Sequence, residues 1–455
     1  MMKSINPATG EEIASHALLS EAQLEAALDR ATATFATWRA TALTDRIALL
    51  ARLADIYEAN KERLARVATM EMGKTLKSAI AEVEKCIAGF RYYATNGPAM
   101  LDGGSIVQTS GGKVDIVWLP IGPVLAIMPW NYPYWQVVRF LAPTILAGNV
   151  GLLKHAGNVQ GVAKLMIDMM EEAGAPEGLF QNLPIDHDVI PALIADDRVA
   201  AVTLTGSEGA GISVGEQAGR ALKKVVLELG GSDPFIVMPS ADLDKAVAQA
   251  VTARIQNTGQ SCICGKRMIV HADIYDIFLE KFSAGMAAVK AGDPFDPDTV
   301  MGPLSTERQR QIVIGQLDAF KAAGATLTGG EALPGPGAFL TAGILTGVPV
   351  DHALMAEEIF GPVAMVFKVA DIDEAIRIAN AIPFGLGSSV WTRDKDEEAR
   401  FIRDIEAGMT AINQMLASAP EAPFGGIKRS GHGRELGPFG LHEFMNLKSV
   451  YRAAG

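Results

Sequence analysis

Apolar residues recur at helical spacing through the first hundred positions of the chain. Ser20 and Gln23 form a capping-box pair, which marks a helix N-terminus. The apolar residues that come after it at helical intervals are Leu24, Leu28, Ala31, Phe35 and Trp38. The same spacing predicts a second helix that starts near Thr44 and a third over 74–93. We therefore expect this part of the chain to be helical.

The pattern then changes to strands that alternate with helices. The first series of predicted elements comprises strands at 114–119, 124–127, 150–154, 199–205 and 225–229, with a helix at 159–172. The second series comprises strands at 235–238 and 268–271 and helices at 243–258 and 275–290. Such alternation indicates βαβ units, parallel sheets and a fold of the α/β class. A last strand at 444–451 has no clear partner in the chain, so we expect it to pair with another subunit.

Composition and charge exclude several classes of function. The 455 residues carry a formal net charge of −12, which disfavours sequence-independent binding to nucleic acid. Three cysteines over this length are too few for a disulfide framework, so we expect a reducing compartment, the cytoplasm. From the sequence we expect neither a signal peptide nor a membrane span, and its histidines and cysteines do not have zinc-ligand spacing. We therefore expect a cytoplasmic protein without a membrane partner or a catalytic metal.

Two segments carry side chains suited to covalent catalysis. The segment 259–264 (GQSCIC) lies between a predicted helix and a predicted strand, so this loop presents Cys262 and Cys264. A cysteine nucleophile needs access and a lowered pKa, and two half-buried cysteines without a function are the alternative. Glu228 ends an apolar strand before two glycines, where burial would raise its pKa and suit it to act as a general base. A structural ion pair is the alternative for Glu228.

Three further segments contain polar or charged groups that are candidates for a functional site. The segment 204–211 (LTGSEGAG) leads from a strand through a glycine-rich turn into a helix, an arrangement that points backbone N–H groups at a phosphate. A plain strand–helix turn is equally consistent with it. Asn131 precedes Pro133 at a predicted helix start, so its amide either caps that helix or donates to an oxyanion. Glu357 and Glu358 precede an aromatic turn, where acids are most often solvated.

The order of these motifs is more specific than any one of them. Over nearly the whole chain it resembles the aldehyde dehydrogenase superfamily, and more narrowly its short bacterial succinate-semialdehyde dehydrogenases. The motifs behind the broader resemblance are NPATG (6–10), PWNYP (129–133), LLK (152–154), TGS (205–207), ELGG (228–231), GQSC (259–262), EIFGP (358–362) and PFGGIK (423–428). The narrower resemblance rests on NYPYWQVVR (131–139), KHA (154–156), ELGGSDPF (228–235) and GRELG (433–437).

The resemblance implies an aldehyde dehydrogenase-like fold in three parts. They are a Rossmann-like cofactor-binding domain over 1–228, interrupted near 107–120 by an oligomerisation hairpin, an α/β catalytic domain over 229–422, and a return segment with a C-terminal oligomerisation strand over 423–455. It also implies a homodimer or a dimer of dimers that oxidises a small-molecule aldehyde with NAD or NADP. Succinic semialdehyde is the expected substrate. The alternatives are another aliphatic or aromatic aldehyde, a thiol hydrolase and a non-catalytic protein of the same fold.

The resemblance also implies roles for single residues. Cys262 attacks the aldehyde carbon, and the Asn131 side chain and the Cys262 backbone N–H hold the oxyanion. Glu228 activates the water that hydrolyses the resulting thioester. Lys154 and Glu358 hold the two cofactor riboses. The other positions expected on the cofactor side are Trp130, Gly157, Gly206, Ser207, Gly211, Leu229 and Phe360.

Two departures from the family pattern bear on cofactor and substrate. Gly157 stands where many NAD-preferring relatives carry a glutamate, so a ribose 2′-phosphate would meet no acid there and we expect NADP to be accepted. The close relatives often carry KSDP where this chain reads ASAP (417–420), which retains Ser418 but loses its polar neighbours.

The substrate side is expected to include a cation. Arg139 lies in an apolar helical run, where its charge needs a partner, and we expect it to bind the far carboxylate of a semialdehyde. Ser418 would assist, and Trp135 and Phe424 would line the same side. An ion pair between Arg139 and a buried acid is the alternative.

A redox role is expected for the second cysteine of the loop. Cys264 lies two residues from Cys262, so mild oxidation is expected to join them reversibly in a disulfide. A small apolar filler is the alternative for Cys264.

Overall fold

Two largely parallel sheets carry the alternation of strands and helices that the sequence predicts. The computed structural model describes residues 1–108 and 112–453. One sheet has six strands and the other seven, and their parallel strands are joined through helices. The predicted α/β fold class is therefore confirmed.

The helices and strands are numbered in chain order. The helices are α1 (Glu21–Trp38), α2 (Leu43–Ala59), α3 (Lys61–Met72), α4 (Leu76–Met100), α5 (Trp135–Ala147), α6 (Gln160–Glu172), α7 (Ile190–Ala195), α8 (Glu208–Arg220), α9 (Leu243–Ile255), α10 (Ala272–Ala287), α11 (Glu307–Ala322), α12 (Ile372–Asn380), α13 (Lys395–Asp404) and α14 (Gly437–Glu443). The strands are β1 (Met2–Ile5), β2 (Glu12–His16), β3 (Asp102–Val107), β4 (Lys113–Pro120), β5 (Pro123–Met128), β6 (Val150–His155), β7 (Phe180–Asn182), β8 (Ala201–Thr205), β9 (Lys224–Glu228), β10 (Pro234–Val237), β11 (Arg267–His271), β12 (Thr326–Gly329), β13 (Gly343–Thr346), β14 (Val363–Val369), β15 (Phe384–Gly385), β16 (Gly387–Trp391), β17 (Met409–Ile412), β18 (Ile427–Lys428), β19 (Gly431–His432) and β20 (Met445–Arg452).

The six-stranded sheet brings several predicted site residues to one edge. Its order is β19-β9-β8-β5-β6-β7, and all neighbours are parallel except β19 with β9. Every residue of β5 and β6 is buried, as expected for a parallel sheet covered on both faces. The carboxyl ends of β5, β6, β8 and β9 lie together, and that edge is where open α/β sheets bind their ligands.

The seven-stranded sheet is buried on both faces. Its order is β12-β13-β14-β11-β10-β16-β17, with only β12 antiparallel to its neighbour. Along β10, Phe235 and Val237 belong to one apolar cluster and Ile236 to another, because successive side chains of a strand point to opposite faces. Helices α9, α10 and α12 pack against strands of this sheet.

A three-stranded antiparallel sheet corrects one prediction. The order is β20-β4-β3, and β20 pairs with β4 along its whole length, from Met445 opposite Pro120 to Arg452 opposite Lys113. The expectation that the last strand lacks a partner in the chain is wrong, because a pairing between segments so distant in sequence leaves no local signal. Residues 109–111 of the predicted hairpin and 454–455 of the predicted C-terminal part lie outside the described residues.

The N-terminal region is less uniformly helical than expected. It begins with an antiparallel hairpin of β1 and β2, whose short strands have no regular alternation of buried positions. α3 was not predicted, and α4 begins and ends later than the predicted 74–93. The capping box at α1 is confirmed, since the Ser20 hydroxyl accepts from the Gln23 N–H at 3.3 Å. Among the described residues, no helix is long and apolar enough to cross a membrane.

Candidate active site

Two cavities meet at Cys262. The larger cavity has a volume of about 420 Å³ and the smaller of about 290 Å³, and both are lined by Cys262 and Gln136. The residues predicted on the substrate side all line the larger cavity: Trp135, Arg139, Ser418 and Phe424. The predicted catalytic and cofactor-side residues that line the smaller cavity are Trp130, Asn131, Gly206, Ser207, Glu228, Leu229, Glu358 and Phe360. The thiol is therefore reached from two sides.

The loop that carries Cys262 has an unusual backbone. After α9 the chain adopts left-handed conformations, with φ of 52° at Asn257 and 59° at Thr258. A β-branched residue such as Thr258 rarely adopts positive φ, so contacts must hold it there. Its hydroxyl donates to the Gly302 carbonyl at 3.1 Å, and the Asn257 amide donates to the Gln260 carbonyl at 3.1 Å. These bonds fix the approach to the cysteine.

Two buried cations hold the carbonyl groups of the same loop. The Lys266 ammonium donates to the Cys262 carbonyl at 2.6 Å and pairs with the Glu358 carboxylate at 3.0 Å. The Arg254 guanidinium donates to the Gly259 carbonyl at 3.1 Å and to the Ile359 carbonyl at 3.0 Å. The segment around Glu358 is thereby joined to the loop that carries Cys262.

The Cys262 thiol does not have the lowered pKa expected of a nucleophile. Burial raises its pKa to about 12, and the nearby charges of Arg139 and Lys266 lower it only in part. Loss of solvent around the thiolate therefore outweighs the attraction of the two cations. At neutral pH the resting thiol is protonated, so it would need a base to take its proton before it could act as a nucleophile.

The Asn131 side chain faces the cysteine loop. Its amide nitrogen donates to the Gln260 carbonyl at 3.1 Å, and the Gln136 amide donates to its oxygen at 3.4 Å. The alternative that Asn131 caps a helix is wrong, because the Glu82 carboxylate accepts the two backbone N–H groups at the start of α5, at 2.8 and 3.0 Å. Pro133 lies before α5 rather than in its first turn. An amide held in this way is suited to donate to an oxyanion.

Glu228 ends β9 as a buried carboxylate. Among the described residues, neither of its oxygens has a hydrogen-bond partner, and no basic group lies within 4.0 Å. This arrangement contradicts the alternative of a structural ion pair. Burial, and then the neighbouring Glu435 carboxylate, raise the pKa of Glu228 well above its ordinary value, and the Arg139 charge opposes them. A carboxyl group with a raised pKa in a cavity is suited to general acid–base chemistry.

The glycine-rich turn forms the wall of the smaller cavity at the N-terminus of α8. The Ser207 hydroxyl caps α8 by accepting from the Ala210 N–H at 3.4 Å, and the Gly206 N–H donates to the Glu228 carbonyl at 3.0 Å. Gly211 has a packing role, because a side chain there would overlap Leu229. Because Gly211 has no side chain, α8 lies close to the end of β9. The N-terminus of α8 is available for an anion.

Lys154 and Gly157 lie at the end of β6, on the same edge of the sheet. Burial lowers the pKa of Lys154, and the Asp186 carboxylate opposes that shift. Gly157 faces Met2, and a Cβ built at Gly157 would lie 3.5 Å from the Met2 side chain, which is ordinary contact. A Cβ at position 157 therefore fits without displacing its neighbours.

The comparison with known families agrees with this geometry. The model described as "Aldehyde dehydrogenase family" matches residues 1–450. The chain belongs to the aldehyde dehydrogenase family. It is therefore an NAD(P)-dependent enzyme that oxidises an aldehyde.

Full-length relatives of this aldehyde dehydrogenase include curated proteins and solved structures. The chain is 52% identical to the NADP(+) succinate-semialdehyde dehydrogenase 1 of Mycobacterium tuberculosis (strain ATCC 25618 / H37Rv), over 99% of each chain. It is 52% identical to the NADP(+) succinate-semialdehyde dehydrogenase of Mycobacterium avium (strain 104), over 98% of this chain and 96% of that protein. The structure of succinic semialdehyde dehydrogenase from Streptococcus pyogenes with NADP+ has 37% identity and a TM-score of 0.97, and the match covers 99% of this chain and 100% of that one.

Arg139 forms the ion pair that was the alternative to substrate binding. The guanidinium pairs with the Glu435 carboxylate, and the two side chains are 2% and 4% exposed. It also donates to the Thr205 hydroxyl at 3.1 Å and lies 4.7 Å from the centre of the Phe424 ring. Its charge is thus committed to Glu435, and its contact with a substrate carboxylate stays a prediction.

Sequence reasoning missed two residues of this aldehyde dehydrogenase site. Glu435 belonged to a motif of the narrower resemblance but received no role, since nothing in the sequence links it to Arg139 or Glu228. Lys85 lines the larger cavity, but a lysine on a long helix is usually solvated and gives no signal.

Cys264 is fully buried, and its thiol donates to the Gln256 carbonyl at 3.8 Å. The disulfide between Cys262 and Cys264 stays a prediction.

The protonated thiol gives a measurable pH dependence. Iodoacetamide should alkylate Cys262 at a rate that rises about tenfold per pH unit from pH 7 to pH 9, because only the thiolate reacts. The rate would not level off in that range, since the pKa of Cys262 is raised to about 12. Mass analysis of the labelled peptide measures the extent of reaction. Cys262→Ala is the control and should take up no label, because Cys86 and Cys264 are buried. A plateau below pH 9 would show that the protein stabilises the thiolate.

Proposed function

We propose that this enzyme oxidises succinic semialdehyde to succinate and that it accepts NADP. The observation that carries the proposal is the position of Cys262 between two cavities, with Asn131 and Glu228 beside it. Relatives 52% identical over nearly their full length carry the name of this activity with NADP(+). The geometry around Cys262 and the names of these relatives together favour succinic semialdehyde over other aldehydes.

The smaller cavity fits a dinucleotide. The α8 N-terminus, which Ser207 caps, offers backbone N–H groups to a pyrophosphate, and Gly206 lies in the same wall. Trp130 and Phe360 form an apolar wall, with ring centres 5.7 Å apart and edges facing. Glu358 and Lys154 would hold the riboses. NAD(P)⁺ accepts a hydride when bound, and this chemistry needs a substrate carbon that has already become tetrahedral.

The residues around Cys262 support a two-stage reaction. The thiol loses its proton to a base, and its sulfur bonds to the aldehyde carbon. The Asn131 amide and the Cys262 backbone N–H donate to the oxyanion that forms. Loss of hydride from the carbon leaves a thioester on Cys262. Glu228 then takes a proton from water as the water oxygen bonds to the thioester carbon, and the C–S bond breaks to release the acid.

Steady-state kinetics with a small aldehyde panel test the proposal. Succinic semialdehyde, butanal and benzaldehyde should each be assayed with NADP and with NAD. We expect kcat/KM to be highest for succinic semialdehyde, and NADP to support turnover. A higher kcat/KM for butanal or benzaldehyde would show that this aldehyde, and not succinic semialdehyde, is the preferred substrate.

Gly157 is expected to permit NADP. Gly157→Glu should lower kcat/KM for NADP about 100-fold more than for NAD, because a carboxylate repels the ribose 2′-phosphate. A Cβ at this position makes only ordinary contacts with Met2. Both cofactors are compared at saturating aldehyde. Gly157→Gln is the matched control of equal size and should not discriminate between the cofactors. An equal loss with both cofactors in Gly157→Glu would show that position 157 lies away from the ribose.

We also propose that the protein forms a homodimer or a dimer of dimers in the cytoplasm. β20 is the edge strand of its sheet, with a second row of backbone groups facing outward. Leu447 and Tyr451 on this strand are 50% and 72% exposed, which favours cover by another subunit. The small number of cysteines supports the proposed location in the cytoplasm.

A further inference from the structure

A half-buried lysine stands in the wall of the larger cavity. Lys85 comes from α4, and its ammonium donates to the Ser418 hydroxyl at 2.7 Å. The same ammonium lies 4.9 Å from the centre of the Trp135 ring. The indole N–H of Trp135 donates to that hydroxyl as well, at 3.0 Å. Lys85, Trp135 and Ser418 therefore meet at one point of the cavity that contains Cys262.

The Ser418 hydroxyl in this cluster is set to donate. A serine hydroxyl has two acceptor positions and one O–H donor. Lys85 and Trp135 occupy the two acceptor positions. The O–H hydrogen of Ser418 is thus left for a third group, and so are two of the three ammonium hydrogens of Lys85. The remaining hydrogens of Ser418 and Lys85 therefore form a group of hydrogen-bond donors that, among the described residues, has no negatively charged acceptor.

Lys85 differs from Arg139 in its charge balance. In the described part of the chain, no carboxylate lies within 4.0 Å of the Lys85 ammonium, whereas Arg139 is paired with Glu435. A cation taken out of water is costly unless an anion compensates it. Lys85 is thus a cation in the cavity wall that a ligand carboxylate would compensate.

We propose that Lys85, together with the Ser418 hydroxyl, binds the carboxylate of an ω-carboxy aldehyde and selects such substrates over neutral aldehydes. The inference rests on the proposed function and names the group that gives it specificity. Hydrogen bonds from an ammonium to a carboxylate are short and strong, more so where water is excluded. The aldehyde end then extends towards Cys262 in the same cavity. In this assignment Lys85 takes the role that the sequence alone suggests for Arg139.

Substitution of Lys85 tests the proposal through a ratio of two substrates. Lys85→Met keeps the length of the side chain and removes its charge. We expect the ratio of kcat/KM for succinic semialdehyde to kcat/KM for butanal to fall about 100-fold, mainly through KM for the semialdehyde. Lys85→Arg should retain most of the ratio. Lys77→Met, an exposed lysine of the same helix, is the matched control and should leave the ratio unchanged.

The result with Arg139 distinguishes the two assignments. Arg139→Met leaves the buried Glu435 carboxylate without its partner beside Glu228, so it should lower oxidation of both substrates and keep their ratio. A ratio that falls in Arg139→Met and is kept in Lys85→Met would overturn the proposal and leave the proposed function intact. A wild-type enzyme without preference for succinic semialdehyde over butanal would overturn both.

The pH dependence of the same ratio gives a second test. Burial lowers the pKa of Lys85 to about 8, helped by Arg139 and opposed by Cys86, Glu82 and Cys262. The charge of Lys85 is present below that pH and is lost above it. Because kcat/KM reports groups of the free enzyme, the ratio should fall as the pH rises through about 8. Groups that serve both substrates, such as Cys262, cancel in the ratio. A ratio constant from pH 6.5 to 9.5 would contradict the role of Lys85.

Discussion

Cys262→Ala is expected to lower kcat/KM for the aldehyde by about 10⁴-fold or more and to leave the affinity for NADP within about twofold. Without the sulfur, the aldehyde carbon does not become tetrahedral, and no hydride is available for transfer. Cofactor affinity is preserved because most of the smaller cavity wall comes from other segments, including the glycine-rich turn before α8 and the segment around Glu358. Steady-state rates and calorimetric titration with NADP measure the two effects.

The other cysteine of the loop is the matched control for this prediction. Cys264→Ala removes a buried thiol that donates only to the Gln256 carbonyl, so turnover should stay close to that of the wild-type enzyme. A variant Cys262→Ala with near-normal turnover, combined with an inactive Cys264→Ala, would reverse the assignment of the nucleophile.

The sequence predicts the residues of the catalytic centre but not their electrostatics. Cys262, Asn131 and Glu228 lie in short motifs whose order matches a family, so their roles could be inferred without a structure. The pKa of Cys262 could not, because it depends on how far burial outweighs Arg139 and Lys266, residues that lie in different parts of the chain. The expectation of a low pKa in the resting enzyme was for this reason wrong.

Contacts between segments that are distant in sequence account for the other differences between the predictions and the structure. Arg139 looked available in the sequence because its partner, Glu435, comes from the far end of the chain. Lys85 shows the opposite case. The sequence gives no signal for it, because only the tertiary fold brings α4 against Ser418. The pairing of β20 with β4 has the same origin. Local periodicity predicts elements, whereas the partners of charged groups and edge strands are determined by the tertiary fold.

Glu228→Gln is expected to lower kcat about 10²–10³-fold and to let the acyl-enzyme accumulate, because the thioester then lacks its base. The amide has nearly the size of the carboxyl group, and among the described residues the Glu228 oxygens have no hydrogen-bond partners to lose. Stopped-flow absorbance should show a burst of NADPH equal to the concentration of active sites and then a slow steady state. Hydroxylamine, which attacks a thioester without help from a base, should restore turnover and yield the hydroxamate.

A second glutamate of the same cavity separates this effect from a general loss of charge. Glu358 pairs with Lys266 and lines the smaller cavity, in which we propose that the cofactor binds, so Glu358→Gln should raise KM for the cofactor and produce no burst. In the wild-type enzyme kcat should increase with pH, since the pKa of Glu228 is raised well above its ordinary value and only the carboxylate acts as a base, and Glu228→Gln should lose that increase.

The burst also decides at which step Glu228 acts. The Cys262 thiol is protonated at neutral pH, so a base is needed before attack as well as before hydrolysis. If Glu228 serves only the second step, Glu228→Gln keeps a fast burst and slows the steady-state phase alone. If the burst itself slows in parallel with the steady state, and hydroxylamine has no effect, Glu228 is the base for the thiol. That outcome would contradict its assignment to thioester hydrolysis, because the amide variant would then be limited before any thioester forms.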